Sequence, residues 1–121
     1  MNQTDELYNS GILAFNRKEY FEAHEILECL YHTQTGSDRE FTQGLIQIAV
    51  AFYHLSKNNF LGGKKLLVKG IIRIKNNQAN FSQFKLEKLI EYVENLIFNL
   101  EQNHEISLCF PSIEILETNG C

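Results

Sequence analysis

Hydrophobic residues recur along most of this 121-residue chain at the three- and four-residue spacing that one face of an α-helix produces. Polar turns interrupt the pattern, and five helices are predicted between them, over residues 5–17, 20–32, 39–56, 61–75 and 84–101. The turns are short, which favours antiparallel packing of consecutive helices. The pattern therefore predicts an all-α fold, a compact bundle of about five helices in which the last helix closes two antiparallel helical hairpins.

The two hairpins are also related by a weak internal repeat. Segments 14–23 and 54–63 align, and in both a helix ends in a polar turn, an aromatic residue follows, and small residues begin the next helix. We expect Gly62 and Gly63 in the second segment to allow close helix packing. We expect residues 1–103 to form a single helical domain and 104–121 to be an extended C-terminal tail, which contains the only proline, Pro111.

Composition and charge narrow the function classes. The chain is 44% hydrophobic and 21% charged, as in ordinary globular proteins, and its formal net charge of -4 makes nucleic-acid binding unlikely. Segment 57–88 carries eight bases and one acid, while 89–121 carries six acids and neither Lys nor Arg. We expect these charges to balance between neighbouring helices, with an anion contact as the alternative. Within the basic segment, Lys65, Lys69 and Arg73 are expected to form a solvated face.

The cysteines and the N-terminal sequence favour an intracellular protein. The three cysteines form no Cys-x-x-Cys pair, which is typical of free thiols in a reducing compartment. The polar, acidic N-terminus shows no signal peptide, and the longest apolar run, 48–53, is far shorter than the ~20 residues that span a bilayer. We therefore expect a cytoplasmic protein, or one of the plastid stroma if it is organelle-encoded, with no membrane partner.

The third predicted helix carries few polar groups. Between Leu45 and Leu55 the only polar side chains are Gln47 and His54, apart from the hydroxyl of Tyr53. A helix that is apolar all round lies in the centre of a bundle. Its amide and imidazole then need partners, because an unpaired buried polar group costs roughly 1–3 kcal/mol.

The second predicted helix offers such partners. His24 and Glu28 lie one turn apart on the same face, where they are expected to meet the polar groups of the third helix. Arg39 is a suitable bidentate partner for Glu25 or Glu28. Three interpretations compete: a buried polar network that fixes helix register, a metal site, and a pocket that reads a ligand or partner through Gln, His and Tyr groups.

The metal interpretation uses His24, Glu28 and His54 as a three-ligand set with an open position. The sequence His-Glu-x-x-Glu is close to the His-Glu-x-x-His zinc motif, but the second histidine is absent. A divalent metal is therefore a less favoured cofactor, and no other cofactor is indicated.

Two stretches resemble a known family. Residues 15–28 contain Tyr-Phe-Glu-Ala-His-Glu-Ile-Leu-Glu, and residues 41–54 contain Gln-Gly-Leu-Ile-Gln followed by Tyr-His. Together they resemble the DUF309 family, small all-helical proteins of unknown function, over roughly residues 7–75. The resemblance implies a compact helical bundle and no particular activity. It marks as motif positions His24, Glu25, Glu28, Arg39, Gln43, Gly44, Gln47, Tyr53, His54 and Asn59. The family usually carries Trp where this chain has Tyr31.

The sequence thus favours a non-catalytic binding or interaction module with an internal His/Glu/Gln network. The alternative is a metal-dependent, hydrolase-like enzyme that uses His24, Glu28 and His54 as ligands and Glu25 as general base. A protein partner, a small ligand and a homo-oligomer are all open.

Overall fold

The computed structural model describes residues 3–77, 84–106 and 109–115. In these ranges five helices follow one another along the chain, each packed on the next from α1 to α4, with α5 packed on α4, and two short strands pair with each other. The elements are α1 (Gln3–Asn16), α2 (Tyr20–Tyr31), α3 (Gly36–Ser56), α4 (Phe60–Asn77), β1 (Phe84–Lys85), α5 (Glu87–Glu101) and β2 (Glu114–Ile115). The predicted all-α fold class is confirmed. None of the helices in the described ranges is long and apolar enough to cross a membrane.

The first and second hairpins use the same turn, as the internal repeat predicted. Lys18 after α1 and Asn58 after α3 both adopt left-handed backbone conformations, with φ of 64° and 63°. In the first turn the N–H of Glu19 donates to the carbonyl of Ala14 at 3.0 Å, and in the second the N–H of Asn59 donates to the carbonyl of His54 at 2.8 Å. These bonds satisfy helix carbonyls that would otherwise lack donors.

α3 is the central helix, as its sequence predicted, with eleven buried residues between Phe41 and Leu55. Its closest approach to α4 is lined by small residues, which we call the α3–α4 seam: Gly44, Ala51, Gly63 and Gly70. A Cβ atom on Gly44 would lie 3.0 Å from the carbonyl oxygen of Gly70, and a Cβ on Gly70 would lie 3.0 Å from that of Gly44. A Cβ on Gly63 would lie 2.8 Å from the side chain of Leu55. The expected close packing at Gly63 is confirmed.

The described part of the C-terminal tail closes the core. Phe110 stacks on Phe52 of α3 with ring centres 4.2 Å apart, and Ile113 is buried. The side chain of Asn16 fixes Ile113 by accepting its N–H at 2.7 Å and donating to its carbonyl at 2.9 Å. The apolar side chains of Ile106, Phe110 and Ile113 in the described part of the tail thus belong to the same core as the helices.

The start of the last helix differs from the prediction. The sequence pattern placed it at residue 84, but α5 begins at Glu87 because residues 84 and 85 pair with β2 in an antiparallel ladder. An ion pair between Lys85 and Glu114, at 3.4 Å, supports this pairing. Asn76 and Asn77, which were predicted to lie in a polar break at 76–80, belong to α4. Residues 78–80 and the tail beyond residue 115, including Cys121, lie outside the described residues.

Candidate functional site

The predicted polar residues do not form one cluster but lie at several separate places in the structure. On α2, the Nε2 atom of His24 lies 3.4 Å from an oxygen of Glu28, as their one-turn spacing predicted. The ring of His24 also contacts Phe21, with centres 5.5 Å apart. Its Nδ1 atom is buried and finds no hydrogen-bond partner among the described residues. The pair lies at the margin of α2, with His24 half-buried and Glu28 exposed.

Gln47 turns towards α4 and takes its partner there. Its side-chain oxygen accepts a hydrogen bond from Nη1 of Arg73 at 3.0 Å, and Nε of Arg73 lies 3.5 Å from a carboxylate oxygen of Glu40. Gln47 is buried, so the guanidinium stabilises an amide oxygen that water reaches poorly. Arg73 was predicted to lie on a solvated face with Lys65 and Lys69. That prediction is wrong for Arg73, because its long side chain folds back over the edge of α3.

His54 lies at the C-terminal end of α3, in the turn to α4. Its Nδ1 atom is 3.4 Å from the side-chain nitrogen of Asn59, and the oxygen of that same side chain accepts the N–H of Gly62 at 3.1 Å. Asn59 therefore acts as the N-cap of α4. His54 belongs to this capping arrangement, and the structure does not bring it to His24 and Glu28.

Arg39 stacks on an aromatic ring. Its guanidinium carbon lies 4.2 Å from the ring centre of Tyr31, the position where the DUF309 family usually carries Trp. Among the ion pairs of the described residues, none joins Arg39 to Glu25 or Glu28. Gln43 is half-buried on α3, one turn before Gln47.

The described residues bring no metal-ligand set together. In the part of the chain that is described, no group of three His, Cys, Asp or Glu side chains could hold a metal ion. His24, Glu28 and His54 therefore do not form the three-ligand site that the hydrolase alternative requires.

Two of the predicted residues, Glu25 and Tyr53, instead line an open groove of about 480 Å³. The groove lies where the α1–α2 turn and the start of α2 face the C-terminal end of α3. We call it the α2–α3 groove, and its lining residues are Lys18, Glu19, Tyr20, Phe21, Glu22, Glu25, Tyr53, Ser56 and Lys57.

Aromatic rings lie at one side of the α2–α3 groove. Phe21 is 57% exposed, which is unusual for so large an apolar side chain, and its ring centre lies 6.0 Å from that of Tyr53. The ammonium of Lys57 lies 5.7 Å from the ring centre of Tyr53. The face of Tyr53 is thus accessible to a cationic group.

The α2–α3 groove also carries negative charge, from Glu19, Glu22 and Glu25. A hydrogen bond from Glu22 to Glu19, together with the charges of Glu19 and Glu25, raises the pKa of the Glu22 carboxyl above its ordinary value. These effects outweigh the charge of Arg17, which lowers the same pKa. Phe21, Lys18 and Lys57 were not predicted to belong to a site. The exposed aromatic residue beside three glutamates was the signal that could have indicated them.

Comparison with known proteins confirms the family resemblance. Residues 8–66 match the model of DUF309, a domain of unknown function, and the match includes every motif position named above. The chain is 30% identical to the uncharacterized protein YpuF of Bacillus subtilis (strain 168) over 87 residues, which are 69% of this chain and 50% of that protein. It is 25% identical to an uncharacterized protein of Aquifex aeolicus (strain VF5) over 93 residues, which are 76% of this chain and 28% of that protein. The chain thus spans half or less of the length of these curated relatives.

Proposed function

We propose that this DUF309 domain is a non-catalytic binding module whose α2–α3 groove takes an arginine or lysine side chain of a partner protein. The observation that carries the proposal is the exposed Phe21–Tyr53 aromatic pair bordered by Glu19, Glu22 and Glu25. Aromatic faces and carboxylates both attract a cation, and a planar guanidinium can stack on a ring while it donates hydrogen bonds to two carboxylate oxygens.

The electrostatics of the groove support a cationic ligand. The raised pKa of Glu22 reflects its hydrogen bond with Glu19 and the charges of Glu19 and Glu25, and an incoming cation would favour the ionised carboxylates. Lys57 over Tyr53 occupies the position on the ring that a ligand cation would take, so binding would displace an exposed side chain at little cost. We expect weak binding of a single side chain, because the groove is open and water competes for both partners.

We also propose that the protein is located in the cytoplasm. Cys29 and Cys109 are exposed free thiols, which fits a reducing compartment.

The test uses nuclear magnetic resonance of the ¹⁵N-labelled chain titrated with the tripeptide acetyl-Gly-Arg-Gly-amide. We expect saturable shifts of amide signals at residues 19–25 and 53–57. The same tripeptide with norleucine in place of arginine is the control for apolar contact, and it should leave those signals unchanged.

Two variants show whether the named side chains act. Glu25→Gln and Tyr53→Leu should each weaken the arginine response, while Glu105→Gln, an exposed carboxylate outside the groove, should not. Equal responses to the arginine and norleucine peptides, or no shifts in the groove, would refute the proposal.

A further inference from the structure

A second surface of the molecule is formed by α4 and α5. The two helices run antiparallel, held by ion pairs between Lys64 and Glu101 at 3.7 Å and between Lys75 and Glu94 at 2.8 Å. α3 packs on one side of α4, and the buried residues of α5 face the core. The remaining sides of both helices point outward together and are covered by no other described element.

This outer face carries unusual apolar exposure. Six large hydrophobic side chains are exposed in the described part of the chain, and four of them lie on α4 and α5: Phe60, Leu61, Ile72 and Phe98. Leu61 is 69%, Ile72 is 54% and Phe98 is 56% exposed. Exposed apolar side chains gathered on one face are typical of a protein interface.

The charges on the same face are divided between the two helices. α4 carries five bases and no acid, whereas α5 carries four acids and a single base. After the two ion pairs within the layer, Lys65 and Lys69 remain exposed on α4, and Glu87 and Glu91 remain exposed on α5. Among the described residues none of these four has an ion-pair partner. One helix of the layer is thus positive and the other negative, with apolar side chains on both.

We propose that a second copy of this chain docks on the α4–α5 face, related to the first by a twofold axis parallel to the two helices. Such an axis lays α4 of each copy over α5 of the other, so opposite charges meet on both sides of the axis. A twofold axis across the helices would instead lay α4 over α4 and α5 over α5, and like charges would repel. The charge pattern therefore selects the first arrangement, a bundle of four antiparallel helices.

The size of the face fits a weak dimer. α4 has 18 residues and α5 has 15, which at 1.5 Å per residue gives helices roughly 27 and 22 Å long, each about 10 Å wide. Roughly 500 Å² per copy would be buried, near the lower limit of specific interfaces. We therefore expect association that depends on concentration in the micromolar range. This surface is separate from the α2–α3 groove, so the dimer can fail without affecting the proposed function, and the reverse also holds.

The experiment is sedimentation velocity of the full chain over a range of concentrations, with two double variants. Lys65→Glu with Lys69→Glu makes the charges that lack an ion-pair partner negative on both helices of the layer, and Glu87→Lys with Glu91→Lys makes them positive on both. Each variant alone should dissociate at least about tenfold more readily than the unaltered chain. An equimolar mixture of the two should dimerise again, because each α4 then meets an α5 of opposite charge.

Apolar substitutions test the same face in a second way. Ile72→Ser with Phe98→Ser should abolish the dimer, while Leu13→Ser, which alters a side chain 50% exposed on α1, should leave it unchanged. Circular dichroism establishes whether each variant is folded. If Lys65→Glu with Lys69→Glu does not fold, Lys65→Gln with Lys69→Gln, which removes the two charges without reversing them, is measured in its place.

Several outcomes would overturn the proposal. An unaltered chain that stays monomeric up to millimolar concentration would show that the face does not bind itself. Variants that dimerise as well as the unaltered chain would show that the dimer uses another surface. Recovery of an acidic protein bound to monomeric chain through Lys65 and Lys69 would assign the face to that partner instead.

Discussion

The polar and small residues of one sequence motif have different surroundings on the two sides of α3. Towards α4, Gly44 allows the backbones of the two helices to approach closely, and the buried side-chain oxygen of Gln47 accepts a hydrogen bond from Arg73. Towards α2, Tyr53 borders an open groove beside the exposed Phe21. On the first side the helix backbones approach closely, whereas the second side borders an open, charged groove. Residues that share a motif can therefore serve stability on one side of a helix and binding on the other.

The largest loss of stability should come from placing a larger side chain in the α3–α4 seam. Gly44→Val places a Cβ 3.0 Å from the Gly70 carbonyl and 2.9 Å from Ile74, and a backbone oxygen cannot move aside. Overpacking of this kind is expected to lower the free energy of unfolding by about 3 kcal/mol. Urea denaturation measures it, with Gln43→Val, a half-buried neighbour, as the control. A Gly44→Val protein as stable as that control would show that the seam can open.

A smaller loss of unfolding free energy is expected when Arg73, the hydrogen-bond partner of Gln47 on the α4 side of α3, is removed. Arg73→Ala leaves the buried oxygen of Gln47 without its donor and Glu40 without its ion pair, at a cost of about 2 kcal/mol in unfolding free energy. Lys69→Ala, on the exposed side of the same helix, should change it by less than about 0.5 kcal/mol. Adding Gln47→Leu to Arg73→Ala should recover part of the loss because the acceptor is gone. If Lys69→Ala cost as much as Arg73→Ala, the Gln47–Arg73 bond would not be the cause.

The sealed interior should also respond to alkaline pH. Burial is the main cause that raises the pKa of Tyr8 to about 12, even though Thr42 and Gln34 hydrogen-bond its hydroxyl. Burial likewise raises the pKa of Tyr92 to about 12 and that of Tyr20 above its ordinary value. The unfolded chain releases these protons near pH 10, whereas the folded chain keeps them.

Stability that is fully present below pH 10 should therefore fall as the pH rises from 10 to about 12, by up to roughly 1.4 kcal/mol per pH unit for Tyr8. Urea midpoints at a series of pH values measure this slope. Tyr8→Phe should reduce it, although the variant starts from a lower stability at neutral pH because Thr42 and Gln34 lose a partner. An unchanged slope in Tyr8→Phe would place the alkaline sensitivity elsewhere.

The sequence predicted the helices well, but it predicted less well which distant segments pack against each other. The continuous apolar surface of α3 predicted its central position, and the repeat predicted that Lys18 and Asn58 occupy equivalent turns, because both signals are local. The docking of Phe110 on Phe52 and the strand at 84–85 depend on contacts between distant parts of the chain, for which the tail offers no periodic pattern.

The same limit explains the site residues. The helical spacing of Gln47 and His54 predicts that they share one side of α3, but it does not predict which helix packs against that side. In the structure Gln47 contacts Arg73 of α4, and His54 contacts Asn59 in the turn between α3 and α4. Arg73 was missed because its spacing matches that of Lys65 and Lys69, and only the reach of its guanidinium separates it from them. Glu25 and Tyr53 were predicted as members of the candidate polar cluster, and both line the α2–α3 groove.

The smallest effect on stability is expected in the α2–α3 groove, where the comparison between the two sides is sharpest. Glu25→Gln removes a charge from an exposed position, and its unfolding free energy should stay within about 0.5 kcal/mol of the unaltered chain. The same variant should lose much of its response to the arginine tripeptide. Gly44→Ala, on the sealed side, should show the reverse: a lower stability and, while the protein remains folded, an unchanged response. If Glu25→Gln instead destabilised the fold and left the response intact, the groove would be structural like the seam, and the two sides of α3 would not differ in role.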